Sequence, residues 1–132
     1  MERLWAPWRM KYILGEVGKS EGCVFCEVAR TTDDAAHLVV GRMSHTMTIM
    51  NLFPYTNGHM MVIPYRHVSG LSDLTCEERL EIMEGAATAV DVLRETFHCD
   101  GNNLGFNLGR PAGARIDTHL HMHVVPRWNG DT

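Results

Sequence analysis

The chain has 132 residues and a mass of 14.9 kDa, which suits one compact domain and is too little for two. Its 12 basic and 16 acidic residues give a formal net charge of −4, so the molecule as a whole does not attract nucleic acid or an anionic membrane. The sequence has neither the ~18 consecutive apolar residues of a membrane-spanning helix nor the apolar run of a signal peptide. We therefore expect a single cytoplasmic domain over residues 1–132, in which residues 1–22 form an N-terminal arm.

Five short segments have the composition of β-strands. Apolar, β-branched runs at residues 38–40 and 47–52 predict a hairpin, and a third strand follows at 59–64 after a cluster of turn residues. Two more strands are predicted near residues 104–108 and at 119–126. The pattern therefore indicates a small sheet.

Residues 75–98 carry the only sustained helical period in the sequence. Thr75 and Glu78 have the spacing of a capping box, in which the side chain of each residue binds the backbone N–H of the other. We expect the apolar side chains that recur at three- and four-residue steps to face the core. These side chains belong to Leu80, Met83, Ala86, Ala87, Val90, Leu93 and Phe97.

The last predicted strand carries three histidines that alternate with aliphatic residues: His119, His121 and His123. Because successive side chains of a strand point to opposite faces, the three imidazoles share one face. One metal ion cannot hold all three, since residues four apart on a strand are separated by ~13 Å, whereas nitrogens bound to one zinc lie within ~4 Å of one another. A neutral imidazole is instead a competent nucleophile, and its neighbours can bind anionic oxygens. The run therefore favours a phosphate-like substrate.

A loop rich in glycine lies just upstream of the histidines, at residues 107–115. Asn107 offers an amide donor, Gly113 lies within a flexible backbone, and Arg110 and Arg115 bring positive charge, so the loop could cradle phosphate oxygens. An ordinary turn is the alternative interpretation.

Cys23 and Cys26 are separated by two residues. This spacing is typical of one half of a zinc site, and histidines elsewhere in the chain could supply the other half. A redox-active pair is the alternative, but no βαβ pattern of the thioredoxin type surrounds these cysteines. We therefore favour zinc.

The histidine run resembles the motif His-φ-His-φ-His-φ-φ, with φ apolar, of the histidine triad (HIT) superfamily of nucleotide hydrolases and transferases. The segment 51–64 is similar to the family's segment Asn…Pro-Gly-His-φ-φ-φ-φ-Pro, and the cysteine pair is similar to that of zinc-binding members. The segments 4–10 and 124–128 resemble a bacterial branch related to the fragile-histidine-triad and diadenosine-tetraphosphate-phosphorylase proteins. That branch implies a C-terminal tail, which this sequence, ending at Thr132, does not contain.

The resemblance implies an α+β fold. Its members have an antiparallel sheet of about five strands backed by one long helix, and they form homodimers in which the sheet extends across two chains.

The resemblance also implies roles for individual residues. His121 would attack the α-phosphorus and carry the nucleotidyl group, while His123 would bind the non-bridging oxygens. His59 would lie against the phosphate chain, Asn51 would contact the ribose, and Asn107 would donate a hydrogen bond to phosphate.

Two further sets of residues follow from the same resemblance. The zinc-binding members imply that one structural zinc is held by Cys23, Cys26, His67 and His119. His119 would then be both a metal ligand and a member of the catalytic triad. In the phosphate loop, Gly113 and Arg115 occupy positions at which the family commonly has Gly-Gln-Ser or Gly-Gln-Thr, so Arg115 is a candidate for the leaving-group contacts.

We therefore expect an enzyme that transfers a nucleotidyl group from the α-phosphate of a nucleotide, with dinucleoside polyphosphates such as diadenosine tetraphosphate as substrates. Water or inorganic phosphate could be the acceptor, so both a hydrolase and a phosphorylase remain open. A nucleotide-binding homodimer with vestigial catalysis is an alternative of another class. A hydrolase with a catalytic metal is a third, which the strand geometry disfavours.

Overall fold

The computed structural model describes residues 22–51 and 58–131. Most of the predicted N-terminal arm and of the turn before the third strand therefore lies outside the described residues. Neither range contains a helix that is both long and apolar enough to cross a bilayer.

The described residues form five strands and two α-helices. In chain order these are α1 (Val24–Ala29), β1 (Val39–Arg42), β2 (Thr46–Met50), β3 (Met60–Pro64), α2 (Cys76–Phe97), β4 (Gly101–Phe106) and β5 (Met122–Arg127). The strands form one sheet in the order β1-β2-β3-β5-β4, and every neighbouring pair is antiparallel. The predicted α+β architecture is confirmed.

The long helix α2 begins at the predicted capping box. The Thr75 hydroxyl accepts the Glu78 backbone N–H at 3.1 Å, and the Glu78 carboxylate accepts the Thr75 backbone N–H at 2.8 Å. Arg66 also pairs with Glu78 at 2.8 Å, and this bond is the main reason why the pKa of Glu78 is lowered to about 2. Because Arg66 precedes His67, the pair connects the start of the helix to a predicted metal ligand.

The buried face of α2 differs from the predicted one. Leu80 and Met83 are 64% and 58% exposed, and Ala87 is exposed as well, so the prediction was wrong for these three. Val90 and Phe97 are only partly buried. The residues that do face the sheet are Ile82, Gly85, Ala86, Ala89 and Leu93.

The small residues of α2 explain why its buried face differs from the predicted one. A Cβ atom built on Gly85 would lie 3.0 Å from a methyl carbon of Val62 in β3. The helix therefore approaches the sheet through glycine and alanine, which allow close contact between the two backbones. Larger apolar side chains such as Leu80 could not be accommodated at that distance, and a pattern based on large residues points to the wrong face.

The sheet has a different partner on each face. One face packs against α2 through Val62, Leu120, Met122 and Val124. The opposite face packs against α1, where Phe25 lies in a cluster with residues of β2 and β3. The histidines belong to this second face, because they alternate with the residues that contact α2.

Strand β5 begins at Met122, so His119 and His121 precede it, and the prediction of a strand from residue 119 was wrong. The backbone N–H of Leu120 bonds to the carbonyl of Val68 at 2.7 Å, outside the ladder between strands. The alternation nevertheless continues through this segment, since Leu120 is buried in the cluster beneath α2. The β4 strand also differs from its prediction, because it ends at Phe106 and leaves Asn107 in the loop.

Candidate active site and metal centre

Two cysteines and two histidines from three separate segments converge beside α1. They are Cys23 and Cys26 at the start of α1, His67 after β3 and His119 before β5, and their ligand atoms all lie within 4.8 Å of one another. Cys23 and His119 are fully buried, and Cys26 is 6% exposed. The sequence-predicted metal ligands are therefore brought together.

The distances fit a tetrahedral ion. His119 Nδ1 lies 3.4 Å from Cys23 Sγ, 3.5 Å from Cys26 Sγ and 3.2 Å from His67 Nδ1, and Cys26 Sγ lies 3.3 Å from His67 Nδ1. Zinc bonds of ~2.0–2.3 Å require tetrahedral ligands to be separated by ~3.3–3.8 Å. A Cys₂His₂ set of this size can hold one zinc ion.

The proton of His119 is placed for metal binding. Its Nε2 lies 2.8 Å from the carbonyl oxygen of Pro64, and a carbonyl can only accept, so Nε2 carries the proton. The lone pair is then on Nδ1, which faces the two sulfurs and His67. A ligand histidine whose second nitrogen donates to a carbonyl is the arrangement that fixes the ring for metal coordination. Burial lowers the pKa of His119 to about 4, which also keeps the imidazole neutral.

The Cys26 thiol has a raised proton affinity. Burial, together with the neighbouring Cys23, raises the pKa of Cys26 to about 11. A bound divalent cation reverses this preference, because a coordinating thiol is deprotonated outright. Four protein donors would fill a tetrahedral ion, which is typical of a structural rather than a catalytic zinc.

The proton of His121 also has a defined position. Its Nδ1 lies 2.9 Å from the carbonyl oxygen of His119, so Nδ1 donates and Nε2 carries the lone pair. The Phe25 ring packs against the imidazole with a centroid distance of 5.0 Å. Burial lowers the pKa of His121 below its ordinary value. The neutral ring therefore carries its lone pair on Nε2.

His123, His59 and Asn51 form a hydrogen-bonded chain beside His121. The rings of His121 and His123 are 4.9 Å apart, His123 Nδ1 lies 2.9 Å from His59 Nε2, and His59 Nδ1 lies 3.3 Å from Asn51 Nδ2. Burial is the main reason why the pKa values of His59 and His123 are lowered to about 4. The structure thus brings together four of the sequence-predicted residues.

The predicted phosphate loop is held in a defined shape. A 3₁₀ turn spans Arg110–Ala112, and Gly113 follows it with φ of 99°, a conformation that side chains rarely adopt. A Cβ atom on Gly113 would lie 3.8 Å from the Asn107 amide nitrogen, so these two predicted residues are neighbours. Arg110 pairs with Asp117 at 3.2 Å, and Arg115 is exposed.

Two groups of the site were missed in the sequence. Phe25, the aromatic residue between the cysteines, contacts both His119 and His121, and its position inside the Cys-x-x-Cys spacing was the available signal. The carbonyl oxygens that set the histidine protons carry no signal in the sequence. His119 itself is fully buried, and its backbone carbonyl accepts the Nδ1–H of His121.

The antiparallel sheet, the single long helix and the three alternating histidines together define a histidine triad domain. A family model described as the HIT domain matches residues 32–130, so the chain belongs to the HIT family.

Several named proteins are similar to this chain. The AP-4-A phosphorylase of Mycobacterium tuberculosis is 41% identical over 138 residues, which cover 99% of this chain and 70% of that protein. The asymmetrical bis(5'-nucleosyl)-tetraphosphatase of Schizosaccharomyces pombe is 32% identical over 90 residues, which cover 68% of this chain and 49% of that protein. Among solved structures, a zinc-bound histidine triad family protein from Mycobacterium smegmatis has a TM-score of 0.74 and 34% identity, and the match covers 86% of this chain and 81% of that chain.

Proposed function

We propose that this protein is an enzyme that transfers a nucleotidyl group from the α-phosphate of a dinucleoside polyphosphate, through a covalent intermediate on His121. The orientation of His121 carries the proposal. Its Nδ1–H is donated to the His119 carbonyl at 2.9 Å, which leaves the Nε2 lone pair available for attack. Relatives named as a phosphorylase of AP-4-A and as a tetraphosphatase support the class of substrate.

The reaction takes place in two displacements at the same phosphorus. In the first, the Nε2 lone pair of His121 forms an N–P bond while the P–O bond to the rest of the phosphate chain breaks, and the leaving group takes that electron pair. In the second, an acceptor oxygen attacks the phosphorus, and the electron pair of the N–P bond returns to Nε2. His123 and Asn107 donate hydrogen bonds to the phosphate oxygens, and Arg115 neutralises charge on the leaving group.

His59 and Asn51 complete the substrate site. His59 lies behind His123 and supports it against the phosphate chain, and Asn51 contacts the ribose. Gly113 supplies the left-handed backbone conformation of the phosphate loop and keeps the loop next to Asn107.

The metal centre has a structural role in this proposal. Cys23, Cys26, His67 and His119 would hold one zinc ion, and when bound the ion cross-links three segments of the chain. His119 is the link to catalysis, because its ring is a ligand and its carbonyl accepts the Nδ1–H of His121. A zinc ion held by these four residues would thereby fix the position of the segment that carries His121.

The proposal is tested by turnover of diadenosine tetraphosphate with separation of the products. Replacement of His121 by Ala removes the nucleophile and should abolish turnover, whereas His45→Ala, which removes an exposed imidazole, should leave it unchanged. Equal turnover by wild type and His121→Ala would refute the proposal. Turnover by neither, together with tight nucleotide binding, would favour a binding module.

The same assay identifies the acceptor. Water as the acceptor gives a nucleoside monophosphate, and inorganic phosphate as the acceptor gives a nucleoside diphosphate, with a nucleoside triphosphate as the other product in both cases. The 41% identity to an AP-4-A phosphorylase favours phosphate. Release of the diphosphate that rises with added phosphate would establish a phosphorylase, and its absence would establish a hydrolase.

We further propose that the protein is a cytoplasmic homodimer joined through β4. This strand lies at the edge of the sheet and pairs only with β5 among the described strands, and its Leu104 is 44% exposed. An exposed edge is a template for pairing with a second strand. None of the four cysteines forms a disulfide, which is consistent with a reducing compartment. Light scattering should give about twice the 14.9 kDa mass of one chain, and the mass of a single chain would refute the dimer.

A further inference from the structure

A hydrogen-bonded chain of three side chains leads from the end of β2 to the centre of the histidine face. Asn51 follows β2 directly, and its backbone N–H bonds to the His59 carbonyl at 2.7 Å. His59 precedes β3, and His123 lies in β5 opposite Met61 of that strand. The side chains continue the connection, from Asn51 Nδ2 to His59 Nδ1 at 3.3 Å and from His59 Nε2 to His123 Nδ1 at 2.9 Å.

The direction of each hydrogen bond in this chain follows from the chemistry of its atoms. The amide nitrogen of Asn51 can only donate, so His59 Nδ1 must accept and carries a lone pair. A neutral imidazole has one proton, and that of His59 is then on Nε2. His59 Nε2 donates to His123 Nδ1, which places the proton of His123 on its own Nε2.

Burial keeps the rings of His59 and His123 in the neutral form, in which each ring carries one proton. The pKa values of His59 and His123 are lowered to about 4, with burial as the largest cause and the electrostatic influence of the neighbouring His121 as the next. Asn51 is itself 8% exposed. At neutral pH the positions of the protons are therefore set by hydrogen bonds and not by protonation of the rings.

His123 is therefore the Nε2–H tautomer, whereas the neighbouring His121 is the Nδ1–H tautomer. His121 donates Nδ1–H to a carbonyl and keeps the lone pair on Nε2, whereas His123 keeps the proton on Nε2. A lone pair suits attack on phosphorus, and an N–H suits an anionic oxygen. The two imidazoles, whose ring centroids lie 4.9 Å apart, are thus suited to different roles. His121 can attack phosphorus, and His123 can donate a hydrogen bond to a phosphate oxygen.

We propose that Asn51 is a positioning residue for this reaction, whose side-chain amide fixes, through His59, the tautomer in which His123 donates Nε2–H to the substrate phosphate. The proposal rests on the proposed function for the role of His123, but the tautomers belong to the protein without substrate. Asn51 acts through two other side chains, which is a role separate from the ribose contact.

The replacement Asn51→Asp tests this role with almost no change in shape. A carboxylate can only accept, so His59 Nδ1 must become the donor. When His59 is neutral, its Nε2 then carries a lone pair and accepts from His123 Nδ1–H, which leaves His123 Nε2 without a proton. At low pH the carboxylate favours a doubly protonated His59, which still donates to His123. The activity of the variant should therefore decrease as pH rises.

The direct measurement is ¹⁵N NMR of the histidine side chains, in the zinc-loaded protein without substrate at pH 8. We expect Nε2–H on both His59 and His123 in the wild type, and Nδ1–H on both in Asn51→Asp. Nδ1–H on His123 in the wild type would overturn the proposal, and this arm needs neither the variant nor any activity. A failure of the proposed function and a failure of the relay are therefore distinguishable.

Kinetics with a dinucleoside tetraphosphate supply the second arm. Loss of one prepared donor to a phosphate oxygen costs about 10²-fold or more in kcat, so we expect that loss in Asn51→Asp at pH 8 and recovery toward pH 6. The matched control is Asn129→Asp, which makes the same chemical change at an exposed side chain outside the site, and it should match the wild type at both pH values. If Asn51→Asp raised only KM, equally at both pH values, Asn51 would be a ribose contact alone and the proposal would be wrong.

Discussion

Replacement of His67 by Ala should lower the thermal stability of the protein, because His67 is a proposed zinc ligand that lies between the cysteines and His119 in the sequence. It is separated from Cys26 by 41 residues and from His119 by 52 residues. A metal ion bound by Cys26, His67 and His119 would close two consecutive loops of the chain. Such a cross-link stabilises the folded state because it restricts the unfolded chain. Without His67, the remaining ligands close one loop of 93 residues between Cys26 and His119.

The size of the effect follows from these loop lengths. In the chain-entropy treatment, loops of 41 and 52 residues contribute ~4 kcal/mol each at 25 °C, which is ~8 kcal/mol together. The single loop of 93 residues contributes ~4.6 kcal/mol, so the variant should lose ~3.4 kcal/mol. At ~2.1 cal/mol/K per residue, the unfolding entropy of 132 residues converts this loss to a decrease of ~12 °C in Tm.

Scanning calorimetry with elemental analysis checks the prediction. The wild type should contain one zinc ion per chain and lose stability on treatment with a chelator, and His67→Ala should respond less to the chelator. The matched control is His45→Ala, which removes an exposed imidazole and should melt with the wild type. A wild type that contains no metal, or a His67→Ala variant that melts within ~2 °C of it, would refute the reasoning.

Three further outcomes follow from the structure. Because burial lowers the pKa of His59 and His123 from 6.5 to about 4, the unfolded chain binds more protons between these values, so stability should rise with pH across that window; equal urea midpoints at pH 5 and pH 7 would contradict this. Gly113→Ala forces a side chain into a backbone with φ of 99°, at a cost of ~1–2 kcal/mol, and should reduce kcat/KM; an unchanged urea midpoint and kcat/KM would show that the loop tolerates it. Leu93→Ala should cost ~3 kcal/mol, while Leu80→Ala, at a side chain 64% exposed, should cost less than ~0.5 kcal/mol, and the reverse order in urea unfolding would contradict the observed helix face.

The sequence contains enough information for the main features of the fold. The hairpin, the third strand and the capping box of the long helix each depend on local patterns, and each was found close to its predicted position. The buried face of the helix is a different matter. This face depends on how closely the helix approaches the sheet, and the small residues Gly85 and Ala86 determine that distance. A pattern based on large apolar side chains favours Leu80 and Met83 instead.

The candidate site divides in the same way. Cys23 and Cys26 are recognisable by spacing, and the histidine run by its alternation, so the residue types of the site are visible in the sequence. Their protons are not, since the carbonyls of Pro64 and His119 that orient the rings are backbone atoms shared by every residue type. The pairing of Asn51 with His59 likewise depends on the register of two strands.

The central claim is that His121 carries the nucleotidyl group. The most direct test is intact-protein mass spectrometry after a brief acid-free quench with diadenosine tetraphosphate, comparing the wild type with His121→Ala, followed by peptide mapping. We expect a mass gain of one adenylyl group in the wild type, mapped to His121, and no gain in the variant. An adenylyl group on another residue, or turnover by His121→Ala equal to that of the wild type, would contradict it.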